Sequence, residues 1–212
     1  MADPISALYP AFTVGANDDE FDDGNFSGWT AVNSGSQVPT VTETNHVASI
    51  LHPGGGASQY LWAYMKAYTM QTNDYIEMAF RFGGVSQAYN RAGLILADGV
   101  TFGAGSQIHW APSFFQSIMS ANSYTNYSVD GGGTSVNVPY LASIGNSVIF
   151  LRFKYEGSNH FRGYTSSDGI SWVGMTGQLT RTLTPTYIGM FLTSYGGTAP
   201  LVASVHYFKQ SA

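Results

Sequence analysis

Apolar and polar residues alternate in short runs along most of the chain. In 75–82, Ile76, Met78, Phe80 and Phe82 share one face while Glu77 and Arg81 take the other, which is the two-residue period of a half-buried strand. The run 147–155 repeats the pattern, with Ile149, Leu151, Phe153 and Tyr155 inward and Arg152 and Lys154 outward. Ala92 to Leu96 is apolar on both faces and predicts a strand in the middle of a sheet. Turn signals punctuate these runs at Asp23-Gly24, Pro53 to Gly56, Gly83-Gly84, Asp98-Gly99, Asp130 to Gly133 and Asp168-Gly169. Short strands between Gly-rich turns predict an all-β, two-sheet antiparallel jelly-roll sandwich. Its expected core is Ile76, Met78, Phe80, Leu94, Leu96, Ile149, Leu151, Phe153 and Phe191.

Two stretches break the rhythm. Ser120 to Pro139, with Tyr124, Tyr127 and a Gly triplet, reads as a long surface loop. Residues 1–17 read as an extended N-terminal arm ahead of a sandwich spanning 18–212. Pro4 and Pro10 bar it from regular helix, while Ile5, Leu8, Tyr9 and Phe12 are apolar without a clean period. Such side chains are expected to dock, preferably on a neighbouring subunit, as an attachment device.

Composition narrows the function classes. Charged residues make up 10% of the 212, aromatics 15%, and Gly is frequent at 25; one β-rich domain accounts for this without disulfides, there being no Cys. The net charge is −5, and the eight basic residues are scattered along the chain with no basic patch in view. No nucleic-acid surface is expected. Met1 to Pro10 lacks the basic and apolar regions of a secretory signal, and no membrane insertion is expected.

The run Ser166-Ser167-Asp168-Gly169-Ile170-Ser171-Trp172, with Ile188-Gly189-Met190-Phe191-Leu192 after it, carries a family resemblance. Asp-Gly between alternating runs signals a hairpin, because Gly supplies the positive φ of the turn. This order of hairpin, Gly-centred strand and closing aromatic strand resembles the last third of concanavalin A-like jelly rolls of the laminin-G and glucanase type. Arg91-Ala92-Gly93-Leu94-Ile95-Leu96 resembles a central strand of that family, and Phe21-Asp22-Asp23 before Trp29 its opening strand. The resemblance implies a fold that carries lectins, hydrolases, lyases and structural modules alike.

Gln107-Ile108-His109 puts Gln107 and His109 on one strand face. It is similar to the strand of jelly-roll alginate lyases in which Gln neutralises a substrate carboxylate and His assists proton abstraction, and Tyr207-Phe208-Lys209 resembles part of their closing strand. Their Arg-rich strand and downstream Tyr have no match here. The carboxylate pair that glycoside hydrolysis needs is not present as a Glu-x-Asp-x-x-Glu run. Zinc has no His pair at ligating spacing. The acidic segment with Asp18, Asp19 and Asp22 could offer oxygen ligands to calcium, although a solvated acidic turn explains it as well.

For glycan binding, which needs ring faces and planar polar groups, the candidates are Trp62, Tyr64, Tyr68, Gln107, His109, Tyr124 and Tyr127. Alternation puts Trp62, Tyr64, Lys66 and Tyr68 on one face of 60–68; the small residues opposite would suit the core, leaving the rings outside. These features together lead to the expectation of a non-enzymatic protein. The reading preferred from sequence is a bacteriophage decoration, cement or tail-associated protein, located on the virion. Its partners would be other virion proteins, copies of itself, or a cell-surface glycan. An extracellular carbohydrate-binding module and an alginate-lyase-like enzyme are the alternatives.

Overall fold

The computed structural model describes residues 18–19, 21, 23–33, 39–52, 60–84, 91–100, 107–110, 124–127, 135–138, 148–174, 178–194 and 201–211. Expectations for the arm, 1–17, lie outside them. Fifteen strands and no helix occur among the described residues: β1 (Thr30–Asn33), β2 (Thr40–Glu43), β3 (Ala48–His52), β4 (Tyr60–Ala67), β5 (Tyr75–Gly84), β6 (Arg91–Ala97), β7 (Gln107–Trp110), β8 (Tyr124–Tyr127), β9 (Ser135–Val138), β10 (Ile149–Gly157), β11 (His160–Ser166), β12 (Val173–Gly174), β13 (Leu179–Thr180), β14 (Tyr187–Ser194) and β15 (Leu201–Gln210). Five form one antiparallel sheet in the order β1-β4-β14-β6-β7. Eight form the other, in the order β12-β11-β10-β5-β15-β3-β2 with β13 also on β11. The segment expected to be a long loop instead contains the pair β8–β9.

Between the sheets lies one core. Ile76, Met78 and Phe80 meet Leu151 and Phe153 from the eight-stranded sheet, and Leu94, Leu96, Ile108, Met190 and Leu192 face them from the other. Each such side chain contributes roughly 1.5–3 kcal/mol on burial. Trp110 crosses the gap: its Nε1 donates to the Tyr164 carbonyl at 3.0 Å, and a Cβ on Gly163 would strike its ring. Gly is therefore required at 163 by close approach.

Several turns depart from expectation. Gly83-Gly84 ends β5 rather than making a turn. Asp168-Gly169 sits in a longer connection, 167–172, instead of a two-residue hairpin. There the Asp168 carboxylate accepts from the Ile170 and Ser171 amides at 2.8 and 2.7 Å and from Ser166 Oγ at 2.8 Å; these bonds hold its pKa well below the usual carboxylate range. Two-residue turns occur at Asn45-His46 and Ser158-Asn159, all four residues at positive φ, as a type I′ turn demands. The predicted opening strand is no strand: Asp19 makes a single bridge to Phe208, and the first strand starts at Thr30. Phe21 and Trp29 nevertheless seal the core there.

A bulge between Val205 and Tyr207 explains the closing strand. Val205 and Phe208 both point inward, which strict alternation forbids and one extra residue permits. Tyr207 and Lys209 consequently face outward.

Candidate functional site

The outer face of the five-stranded sheet is where the sequence's sharpest motif arrives. Ile108 and Trp110 anchor β7 in the core, so alternation turns Gln107 and His109 away from it. Beside them, on the same face, Ala63, Met65, Ile95, Ala97 and Phe191 form a second apolar cluster, with Val32 and Tyr187 at its margin. Phe191 is thus buried as expected, but outside the core between the sheets.

His109 lies on Phe191, ring centroids 4.4 Å apart and planes 21° from parallel. Their strands are not neighbours. β6 runs between them, pairing Phe191 with Gly93 and His109 with Ile95. At about 4.8 Å per strand the two rings meet only by leaning over β6, and Gly93 has no side chain to prevent it. Gln107 is 5% exposed and His109 1%, and Gln107 Oε1 accepts no hydrogen bond from a described residue. No carboxylate stands on this face among the described side chains. Arg91 starts β6, and its side chain is outside the described set. The described side chains of this face are therefore a planar amide and an imidazole–phenyl stack on an apolar floor, all of them buried.

The expected ring platform on β4 is inverted. Trp62 is 1% exposed in the core. Tyr64 packs against Phe26, 4.9 Å between centroids, and the Lys66 Nζ sits 4.8 Å from the Trp29 ring centre. Burial lowers the Lys66 pKa, with Asp19 and Asp18 opposing. Ala63 and Met65 form the outer floor instead. Both faces of β4 are covered, so ring size does not reveal which one is the core. Tyr68 donates to Asp74 Oδ2 at 2.9 Å and to the Ser211 carbonyl at 3.0 Å, a strand-end tie. Tyr124 and Tyr127 lie in β8, with side chains outside the described set.

The acidic segment is occupied by its own fold. Asp18 accepts from the Gln210 amide at 3.0 Å, and Asp19 from the Phe21 amide and Trp29 Nε1 at 2.9 and 2.5 Å; Asp22 is outside the described residues. No group of three or more metal-ligating side chains occurs among the described residues. The lyase-like elements separate as well. Gln107 and His109 face outward from one sheet and Tyr207 and Lys209 from the other, so one substrate cannot touch both sets.

Sequence analysis missed the outer face of the eight-stranded sheet. Arg81, Arg152, Lys154, Arg162 and Lys209 all point outward there, five of the eight basic residues. Scattered along the chain, Arg152, Lys154, Arg162 and Lys209 are gathered by strand pairing, while Arg81 lies beyond the buried row of Ala79, Phe150 and Tyr207. Arg152 pairs with Glu77, Nη2 to Oε1 2.7 Å, and its guanidinium lies 4.1 Å from the Trp172 and 4.7 Å from the Tyr75 ring centre. Burial pushes the Glu77 carboxyl above its ordinary range against the pull of Arg152.

No protein-family model and no curated protein matches the chain. Solved structures do. A β-glucanase from Bacillus licheniformis superposes with a TM-score of 0.58 at 15% identity, over 95% of this chain and 100% of that one. A legume lectin-like domain from Entamoeba histolytica gives 0.56 at 11% identity, covering 87% and 89%. The fold is a concanavalin A-like jelly roll. A xylan β-1,4-xylosidase from Bacillus halodurans C-125 gives 0.62 at 12% identity over 95% of this chain, which spans only 40% of that enzyme. At these identities the likeness establishes the fold alone.

One expectation is corrected by these neighbours. Hydrolases stand among the solved structures sharing this jelly roll, a β-1,3-glucanase from Mycobacterium marinum with them at a TM-score of 0.57 and 14% identity over 94% of this chain and 99% of that one, so the reading of a non-enzymatic protein is withdrawn. None of the named neighbours is a virus-particle protein, and the bacteriophage resemblance gains no support from them.

Proposed function

We propose that this protein is a glycan-binding jelly roll that takes a polysaccharide chain against the outer face of its five-stranded sheet. The observation that carries the reading is Gln107: its amide is buried, and its Oε1 accepts no hydrogen bond from a described residue. Leaving such a group unmet costs about 1–3 kcal/mol, and a sugar hydroxyl is a donor that would meet it. Beside it lies the His109–Phe191 stack, its rings 1% and 2% exposed; a glycan reaches them only as the segments that cover this face give way, and the C–H face of a pyranose would then meet a flat apolar surface. No carboxylate, Lys or Arg is found among the described side chains of this face, which favours a neutral glycan.

The names of the structural neighbours supply the panel to try: β-1,3-glucan and xylan. Cleavage by the two-carboxylate route would draw its acids from residues outside the described set, so the test reads binding and new reducing ends together. In isothermal titration with laminarin and xylan oligosaccharides, the wild type should bind at least one. Gln107→Ala and His109→Ala should each weaken that binding about tenfold with the fold intact. Binding that both variants leave unchanged, or no binding across the panel, overturns the reading.

A further inference from the structure

The outer face of the five-stranded sheet is buried at its centre and opens toward one end. Register places Gln107, Ala97, Tyr187 and Ala67 side by side on β7, β6, β14 and β4. All four turn away from the core, since Ile108, Leu96, Ile188 and Trp62 fill it at alternate positions of the same strands. From Ala67 to Gln107 the row crosses three strand steps, about 14 Å at the ordinary spacing. Exposure changes along it. Gln107 and Ala97 are buried, Tyr187 is half-buried and Ala67 is exposed. His109, Ile95, Met65 and Phe191, further into the face, are all buried.

Tyr187 is held but not enclosed. It packs against the apolar cluster of this face, and hydrogen bonds to both neighbouring strands fix the backbone beside it. The Thr186 amide donates to the Ala97 carbonyl, Thr186 Oγ1 to the Asp98 carbonyl, and the Tyr68 amide to the Thr186 carbonyl, each at 2.9 Å. Its neighbours in the row, Ala97 and Ala67, end at Cβ and are too short to stand over a phenol ring. A fixed, part-exposed ring flanked by methyl groups is a surface on which the C–H face of a pyranose can stack. The row holds no charged side chain, and Asp98 is exposed in the turn after Ala97, so an acidic chain would be repelled there.

We infer that Tyr187 is the outer wall of the glycan site. A neutral oligosaccharide approaches over Ala67, stacks one unit on Tyr187 and reaches Gln107 across Ala97, running across the strands rather than along them. This rests on the reading of Gln107 as a glycan contact, and adds to it a point of entry and a second contact residue.

The test titrates the full chain with the same laminarin and xylan oligosaccharides, comparing Tyr187→Ala and Tyr187→Phe with Gln107→Ala, each checked for an unchanged thermal melt. Tyr187→Ala should weaken binding about tenfold, the scale of an aromatic contact residue, while Tyr187→Phe keeps the ring and should stay within about threefold of wild type. Should Tyr187→Ala melt early, Ala67→Ile is measured in its place. Its branched side chain, at an exposed position, stands where the stacked unit would lie, and the same tenfold loss is expected. Binding weakened by Gln107→Ala but unchanged in Tyr187→Ala, or in Ala67→Ile where that replaces it, overturns this inference and leaves the reading of Gln107 standing. A loss in Tyr187→Phe equal to that in Tyr187→Ala also overturns it, by assigning the contact to the hydroxyl instead of the ring. A wild type that binds no member of the panel overturns both.

Discussion

On the five-stranded sheet, the described side chains that turn from the core include Ala63, Met65, Ile95, Ala97 and Phe191, with Gln107 and His109 on the strand at one edge. On the eight-stranded sheet they include Glu77, Arg152, Lys154, Arg162, Tyr164 and Lys209. Both sheets obey the same alternation and share the same core, so the outer chemistry is not dictated by packing between them. The first face is an apolar floor edged by an amide and an imidazole. The second carries ion pairs and further charges between aromatic rings. A sandwich fixes its fold with half its strand positions and leaves the other half free to differ.

The largest expected effect abolishes the difference by loosening the frame beneath both faces. Trp110→Ala removes the side chain that spans the sheets and its bond to the Tyr164 carbonyl. A buried Trp→Ala costs about 3–5 kcal/mol, which in a chain of this size lowers the melting temperature by about 10 °C. A scan showing a fall under about 2 °C would mean that the sheets are not coupled through Trp110.

A smaller effect separates the faces by pH. Burial raises the Glu77 carboxyl above its unfolded value despite Arg152, so the folded state holds that proton to higher pH than the unfolded chain does. The Glu77 contribution is then most favourable at acid pH. It declines as pH rises from about 4.3 through the raised value. Melting temperatures of wild type minus Glu77→Gln should fall with pH over that range, while Gln107→Ala, on the face without a described carboxylate, should track the wild type in slope. A flat wild-type difference curve would show that Arg152 fully offsets the burial of Glu77.

How much of this was legible depends on whether a strand's two faces differ. β5 and β10 were readable because Glu77, Arg152 and Lys154 mark one side as the outside. β4 was not, because Trp62 and Ala63 are both buried, and alternation cannot rank two covered faces. Phe191 was misassigned for the same reason. The inward turn of both Val205 and Phe208 needs a bulge that no Gly or Pro announces. Neither central pair of the turns at Asn45-His46 and Ser158-Asn159 contains a Gly, although Gly157 stands just before the second. Of the site, Gln107 and His109 could be placed on one face from their spacing alone. Phe191 beneath His109, and the four gathered cations Arg152, Lys154, Arg162 and Lys209, come from strand order, which local pattern does not contain.

The most direct test maps the bound glycan by amide chemical-shift changes in a labelled sample titrated with a laminarin oligosaccharide. The account predicts that the perturbed amides cluster on β6, β7 and β14, at Gly93, Ile95, Gln107, His109 and Phe191, with β10 and β11 still. Perturbations confined to β10 and β11, or a saturating titration that leaves Gln107 and His109 unmoved, would contradict it.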